Sequence, residues 1–141
     1  MTYSSLATGA VSSVDEVLPW GGGKAFLPSW ENDMSLREAI IVSNVPVYQE
    51  QARRIGLERM QTMVKLFDYG NRQIGDVVDQ FWLRGPLQIS AIEQTQFLAR
   101  LARRELPVVR RAQDAVAEIT QQDSGVDSQG RAGSLHAKTG M

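Results

Sequence analysis

Val45-Pro46-Val47-Tyr48-Gln49-Glu50-Gln51-Ala52-Arg53-Arg54-Ile55 opens a run that reaches Leu83 and is followed at once by Arg84-Gly85-Pro86. Apolar or small residues recur at Val45, Tyr48, Ala52, Ile55, Met60, Met63, Phe67, Ile74, Val77 and Phe81. Steps of three and four place them on one stripe of a helix. At 1.5 Å per residue such a rod is about 58 Å long. Ser43 or Asn44 can cap its start, and Pro46 suits a first turn, where a missing N–H costs nothing. Gly85-Pro86 stops it. Gly56, Gly70 and Gly75 lie inside the rod, each costing about 1 kcal/mol relative to Ala. They read either as local kinks or as points where another backbone comes close, and Gly70-Asn71 is the expected break if the rod is two helices.

Working outward, Ser90-Ala91-Ile92-Glu93 is a capping box. Leu98, Leu101, Leu106, Val109, Ala112, Val116 and Ile119 carry one apolar face to about Gln122, with Pro107 expected to kink or split the run near Leu106. Two long helices joined by a short bend fold back antiparallel. The fold expected is therefore all-α, a long antiparallel helical hairpin with an extended N-terminal arm and a polar C-terminal tail. Phe81, Trp82, Leu87 and Ile89 would pack at the bend. Upstream, Ser35-Leu36-Arg37-Glu38 is a second capping box, opening a short helix over Leu36, Ala39, Ile40 and Val42.

Three segments follow: an arm over 1–33, a hairpin over 34–122 and a tail over 123–141. The arm carries Trp20, Phe26 and Trp30, each able to bury on the order of 150–250 Å². They read either as core folded onto the hairpin or, together with Phe81 and Trp82, as anchors for a neighbouring subunit. The tail is Ser-, Gly-, Asp- and Gln-rich and should be disordered alone.

Composition narrows the chemistry. The chain has 141 residues, a net charge of −1 and no cysteine, which excludes disulfides and thiol chemistry and fits a reducing compartment. No apolar run approaches the ~20 residues that span a bilayer, and no secretory signal is evident at the N-terminus. Gly21-Gly22-Gly23-Lys24 fails the phosphate-loop spacing, with Ala25 where a hydroxyl is needed. His136 is the sole histidine, and with no Cys it cannot build a typical zinc site. Asp76 and Asp79 share a face without a companion ligand motif. No catalytic set, metal site or cofactor emerges, and no small-molecule substrate is expected. Charge is uneven: one Lys against four acids in residues 1–33, but Arg100, Arg103, Arg104, Arg110 and Arg111 against Glu105 alone in 100–111. These arginines read first as an exposed flank paired with acids, and alternatively as a contact for nucleic-acid phosphates or an acidic partner. Near-neutral net charge argues against avid sequence-independent DNA binding.

The helical runs Glu93-Gln94-Thr95-Gln96-Phe97-Leu98-Ala99-Arg100 and Ala115-Val116-Ala117-Glu118-Ile119-Thr120-Gln121-Gln122 resemble small internal virion or ejection proteins of tailed bacteriophages. That resemblance spans roughly 34–141. It implies a non-enzymatic structural subunit of an oligomeric particle, packed on copies of itself and on other structural proteins, helping genome ejection and assembled in the host cytoplasm. Trp82-Leu83-Arg84-Gly85 is also similar to the Trp-x-Gly bend of the WXG100 secreted hairpins, with one residue too many. A nucleic-acid-binding helical module is the remaining alternative.

Overall fold

The computed structural model describes residues 2–126 and 129–136. Six α-helices span Thr2–Thr8 (α1), Leu36–Ile41 (α2), Val45–Ile55 (α3), Leu57–Leu66 (α4), Ala91–Ala102 (α5) and Arg110–Thr120 (α6). Two small antiparallel sheets accompany them. Val17–Leu18 (β1) pairs with Met34–Ser35 (β2), and Gln121–Val126 (β3) pairs with Ala132–His136 (β4).

The expected all-α hairpin is not what forms. The rod breaks first at Gly56, which has φ +81° and open space where a Cβ would stand. A side chain would fit there, but an L-residue disfavours the backbone angle, so this glycine serves a turn and not a close approach. The rod ends outright at Leu66. Residues 67–90, expected as its second half, contain no helix or strand among the elements assigned. The break expected at Pro107 is wider than one residue, covering 103–109 between α5 and α6.

Local signals explain the helices that do form. Ser35 caps α2: the Glu38 N–H donates to its Oγ (3.3 Å), and its own N–H donates to Glu38 Oε2 (2.8 Å). Ser90 and Glu93 repeat the exchange at α5. Asn44 caps α3 by accepting the Val47 N–H at 3.1 Å. Each such cap is worth ~1 kcal/mol.

Residues expected to form an extended arm are part of the body. Leu6, Val11, Val14 and Leu18 are buried with Met34, Leu36, Ala39 and Val47, and with Ala112 and Ile119 of α6. A second cluster joins Ala52, Ile55, Met60 and Val64 to Ile74 and Phe81 of the irregular segment. A third joins Met63 and Phe67 to Leu101, Leu106 and Val116. Residues 121–136, expected as part of a structureless tail or its approach, carry the β3–β4 hairpin, while 127–128 and 137–141 lie outside the described residues.

Candidate functional site

Residues 67–90 hold their shape by individual bonds. Gly70 has φ +53°, and a Cβ there would strike the Gln88 carbonyl oxygen. Here a glycine does serve the close backbone approach expected of one. Asn71 then fastens the two ends of the segment together. Its N–H donates to Gln88 O (2.8 Å), its Nδ2 donates to Pro86 O (2.8 Å), and its Oδ1 accepts the Gln88 N–H (3.2 Å) and the Gln73 N–H (3.2 Å). The opposite side is tied to α3: Gln49 Nε2 donates to Asp79 O (3.1 Å), and Arg53 Nη1 meets Asp79 Oδ2 at 2.7 Å. Ile74 and Phe81 are buried between these ties.

Trp82 sits on this clamped segment. Its ring meets Phe81 edge-on at 4.9 Å between centroids. Together with Met60, Val64, Phe67, Phe81 and Phe97 it lines a mainly apolar cavity of about 300 Å³. That is about twice the ~150 Å³ of an apolar cavity that takes up benzene. Tyr69 anchors the wall, its hydroxyl donating to Gln94 Oε1 at 2.6 Å and its ring lying 4.8 Å from that of Phe97. Burial pushes the Tyr69 hydroxyl pKa up, and the Gln94 bond opposes the rise. Burial likewise pushes the Tyr48 hydroxyl up to about 12. The Thr2 side chain opposes that rise.

A second feature is Ser43, between α2 and α3, one of four non-glycine residues with positive φ (+53°) among those described. Its neighbours are locked on both sides. Val42 O accepts from Trp30 Nε1 (3.0 Å), and the buried Asn44 donates to Trp30 O (3.5 Å) and Met34 Sδ (3.1 Å) while capping α3. A non-glycine residue in this region costs of order 1–3 kcal/mol, and such residues cluster at functional sites. The third feature is the end of β4. His136 Nδ1 lies 2.8 Å from Ala117 O, and its Nε2 lies 2.9 Å from Ser134 Oγ. Both residues are exposed, so this pair has no enclosed site around it. Beyond it comes Lys138-Thr139-Gly140, outside the described residues.

The residues singled out from the sequence scatter. Trp30 is 4% exposed and belongs to the core, Trp20 is half-buried, and Phe26 is 84% exposed beside Trp30 at 6.2 Å between ring centroids. Only Phe81 and Trp82 stand at the cavity. Most of the arginines have partners within the chain: Arg103 with Glu105 (2.9 Å), Arg104 with Asp114 (2.6 Å), Arg110 with Asp114 (3.9 Å), and Arg100 Nη1 with Phe67 O (3.0 Å). Arg111 is exposed on α6. No group of three metal-ligating side chains occurs among the described residues.

Comparison with known proteins supplies what periodicity did not. The family model for the penicillin-binding protein transpeptidase domain matches residues 2–141. The chain is 45% identical over 113 residues to the β-lactamase OXA-5 of Pseudomonas aeruginosa, covering 80% of this chain and 42% of that one. It is 40% identical over 136 residues to OXA-48 of Klebsiella pneumoniae, covering 96% and 49%. The crystal structure of FUS-1 (OXA-85), a class D β-lactamase from Fusobacterium nucleatum subsp. polymorphum, superposes with a TM-score of 0.86 at 44% identity over 89% of this chain and 52% of that one. The chain thus spans about half the length of the relatives it matches.

These matches overturn the resemblance to phage virion or ejection proteins, and with it the expectations of a non-enzymatic structural subunit, a role in genome ejection and a place in a virion. The WXG100-like and nucleic-acid-binding alternatives fall with them. The relatives are enzymes that act on small molecules, so the expected absence of catalysis and of a small-molecule substrate is corrected too. The fold is of the α/β penicillin-binding transpeptidase type. One sequence signal marks the family. The set S-x-x-K, S-D-N and K-T-G describes class A β-lactamases and penicillin-binding proteins. Of that set these 141 residues contain K-T-G, at 138–140, and no S-x-x-K. A three-residue motif in a polar segment has no period, so reading for amphipathic helices passes over it.

Proposed function

Because this chain belongs to the penicillin-binding protein transpeptidase family, on the class D β-lactamase branch of its relatives, we propose that it forms part of a serine acyl-transfer domain that opens β-lactam rings. The observation that carries this reading is Lys138-Thr139-Gly140 at the end of a chain that is 40% identical to OXA-48 over 136 residues. In the reaction a serine of an S-x-x-K tetrad attacks the lactam carbonyl, the ring C–N bond breaks and the nitrogen takes up a proton. Water then cleaves the acyl ester, freeing the serine and the ring-opened acid. The tetrad is not within these residues. What they supply is the K-T-G triad in sequence and a framework: the Trp82 segment clamped by Asn71, and Ser43 held in its left-handed turn. Such an enzyme works in the periplasm or outside the cell, as its relatives typically do.

The test is a chimera in which residues 2–141 replace the matching half of the Fusobacterium nucleatum relative. Hydrolysis of a chromogenic cephalosporin is expected. A chimera that folds, shown by cooperative melting, yet neither hydrolyses nor becomes acylated by β-lactams overturns the reading.

A further inference from the structure

Trp82 stands on a segment without regular structure, and apolar contact alone does not fix where that segment runs. Val78, Phe81 and Trp82 belong to the apolar cluster that includes Ala52 and Ile55 of α3. Such contacts are non-directional, so they hold the segment down without setting its register. We propose that Gln49 and Arg53 are positioning residues: acting through Asp79, they set where Trp82 stands relative to Ser43, and with it the rate of acyl transfer. The inference rests on the family reading above and adds to it two residues that act through a third.

Three observations carry it. The bonds converge: Gln49 Nε2 donates to the Asp79 carbonyl (3.1 Å) and Arg53 Nη1 meets Asp79 Oδ2 at 2.7 Å, so successive turns of one helix hold both the backbone and the side chain of one residue. Among the described residues, no other hydrogen bond ties 73–85 to a helix. Asp79 also lies inside the tight turns that carry Trp82. The Gln80 N–H donates to Val77 O (3.2 Å), and Gln80 O accepts the N–H groups of Leu83 (2.9 Å) and Arg84 (3.0 Å). A shift at Asp79 is therefore passed to Trp82, three residues on. Arg53 is itself braced, its Nε donating to Glu50 Oε2 (3.2 Å) while Arg54 Nε donates to Glu50 Oε1 (3.1 Å). The same helix begins at the Asn44 cap beside Ser43, so one rigid element carries the Ser43 turn at its start and the Asp79 anchor about two turns on. With 50% of the Arg53 side chain exposed, the ion pair adds little to global stability, and its effect lies in direction.

The experiment measures amide exchange on the full chain and turnover in the chimera described above. Arg53→Ala is expected to speed exchange at 77–84 about 10-fold while sparing α3, with the melting temperature moved by a few degrees at most. In the chimera it should lower kcat about 10-fold and leave KM within about 2-fold, because a misplaced wall costs rate more than binding. Gln49→Ala, which removes only the backbone tie, should lower kcat about 3- to 5-fold. Arg53→Lys should restore most of the rate. Asp79→Asn should be no worse combined with Arg53→Ala than alone, and it gives the same test from the other partner should Arg53→Ala not fold. Lys65→Ala, which removes an exposed cation on α4, should change neither readout. Unaltered exchange at 77–84 in Arg53→Ala, or a loss of kcat that follows global stability and is not restored by Arg53→Lys, overturns the inference. Faster exchange at 77–84 beside an inactive chimera of the unaltered chain upholds the anchor and counts against the acyl-transfer reading. An active chimera indifferent to Arg53→Ala does the reverse.

Discussion

Residues 34–66 and residues 67–90 adjoin in the chain and order themselves by different means. The first is three helices with caps and apolar stripes, where Leu36, Ala39, Val47, Ala52 and Ile55 each bury at helical spacing. The second has no regular element, yet it buries Ile74 and Phe81 as deeply and fixes its course with single hydrogen bonds from Asn71, Gln49 and Arg53. In the helical part, stability is spread over many equivalent contacts, so losing one is tolerated. In the irregular part it is concentrated at a few atoms, so the same kind of change has very unequal effects.

That contrast can be broken or sharpened by substitution. The largest effect is expected for Gly70→Val, which combines a left-handed φ that a β-branched residue rarely adopts with a collision on the Gln88 carbonyl. It should cost about 4–5 kcal/mol or leave no cooperative transition in thermal melts. A loss near that of an ordinary helix glycine would show that the segment is not held as described. Phe81→Ala should cost about 3–5 kcal/mol in denaturant unfolding, as a core truncation does. If it costs no more than an exposed residue, the segment is not part of the core.

Asn71→Ala comes next. It removes three side-chain bonds, two that join Asn71 to Pro86 and Gln88 and one local to Gln73, worth together about 2–3 kcal/mol at ~1 kcal/mol each. Faster amide exchange should be confined to 71–90 and spare α3. Ser90→Ala removes only a helix cap and should cost about 1 kcal/mol.

The smallest effect is a pH dependence shared by the two capping boxes. The Ser35 and Ser90 amides and hydroxyls hold the Glu38 and Glu93 carboxyls below their ordinary value of 4.5. A carboxylate with a lowered folded pKa contributes stability that is present above 4.5 and lost as pH falls through the folded value. Acid titration of Glu38→Gln, Glu93→Gln should therefore show a shallower loss of stability below that pH than the unaltered chain. An unchanged slope would mean that the boxes do not couple to proton uptake.

The same contrast explains what could be read in advance. Both capping boxes, the Asn44 and Pro46 helix start and the break around Pro107 are local, because each is decided by a backbone group within four residues. The rod beyond Leu66 was misread because Phe67, Ile74, Val77 and Phe81 keep a helical step by coincidence. Positive φ at Asp68, Gly70, Arg72 and Gly75 denies that stretch the helix. The candidate site was less legible still. Trp82 was visible as an aromatic anchor, but its meaning depends on Phe97 and Tyr48, distant in the chain. Lys138-Thr139-Gly140 announces itself only to a reader who knows the motif.

Taken alone, then, the sequence determined where three of the helices begin, that the chain has no cysteine chemistry, and which side chains are apolar enough to be buried. Those outcomes depend on forces acting within a turn or on the solvation of single groups. Tertiary structure alone decided that residues 67–90 fold as a clamped loop and that Gly70 rests against Gln88. It also decided that Tyr48, Trp82 and Phe97 face one cavity. Each of these requires residues 15 to 49 positions apart to meet, and the free energy that rewards the meeting exists only once the whole framework is in place.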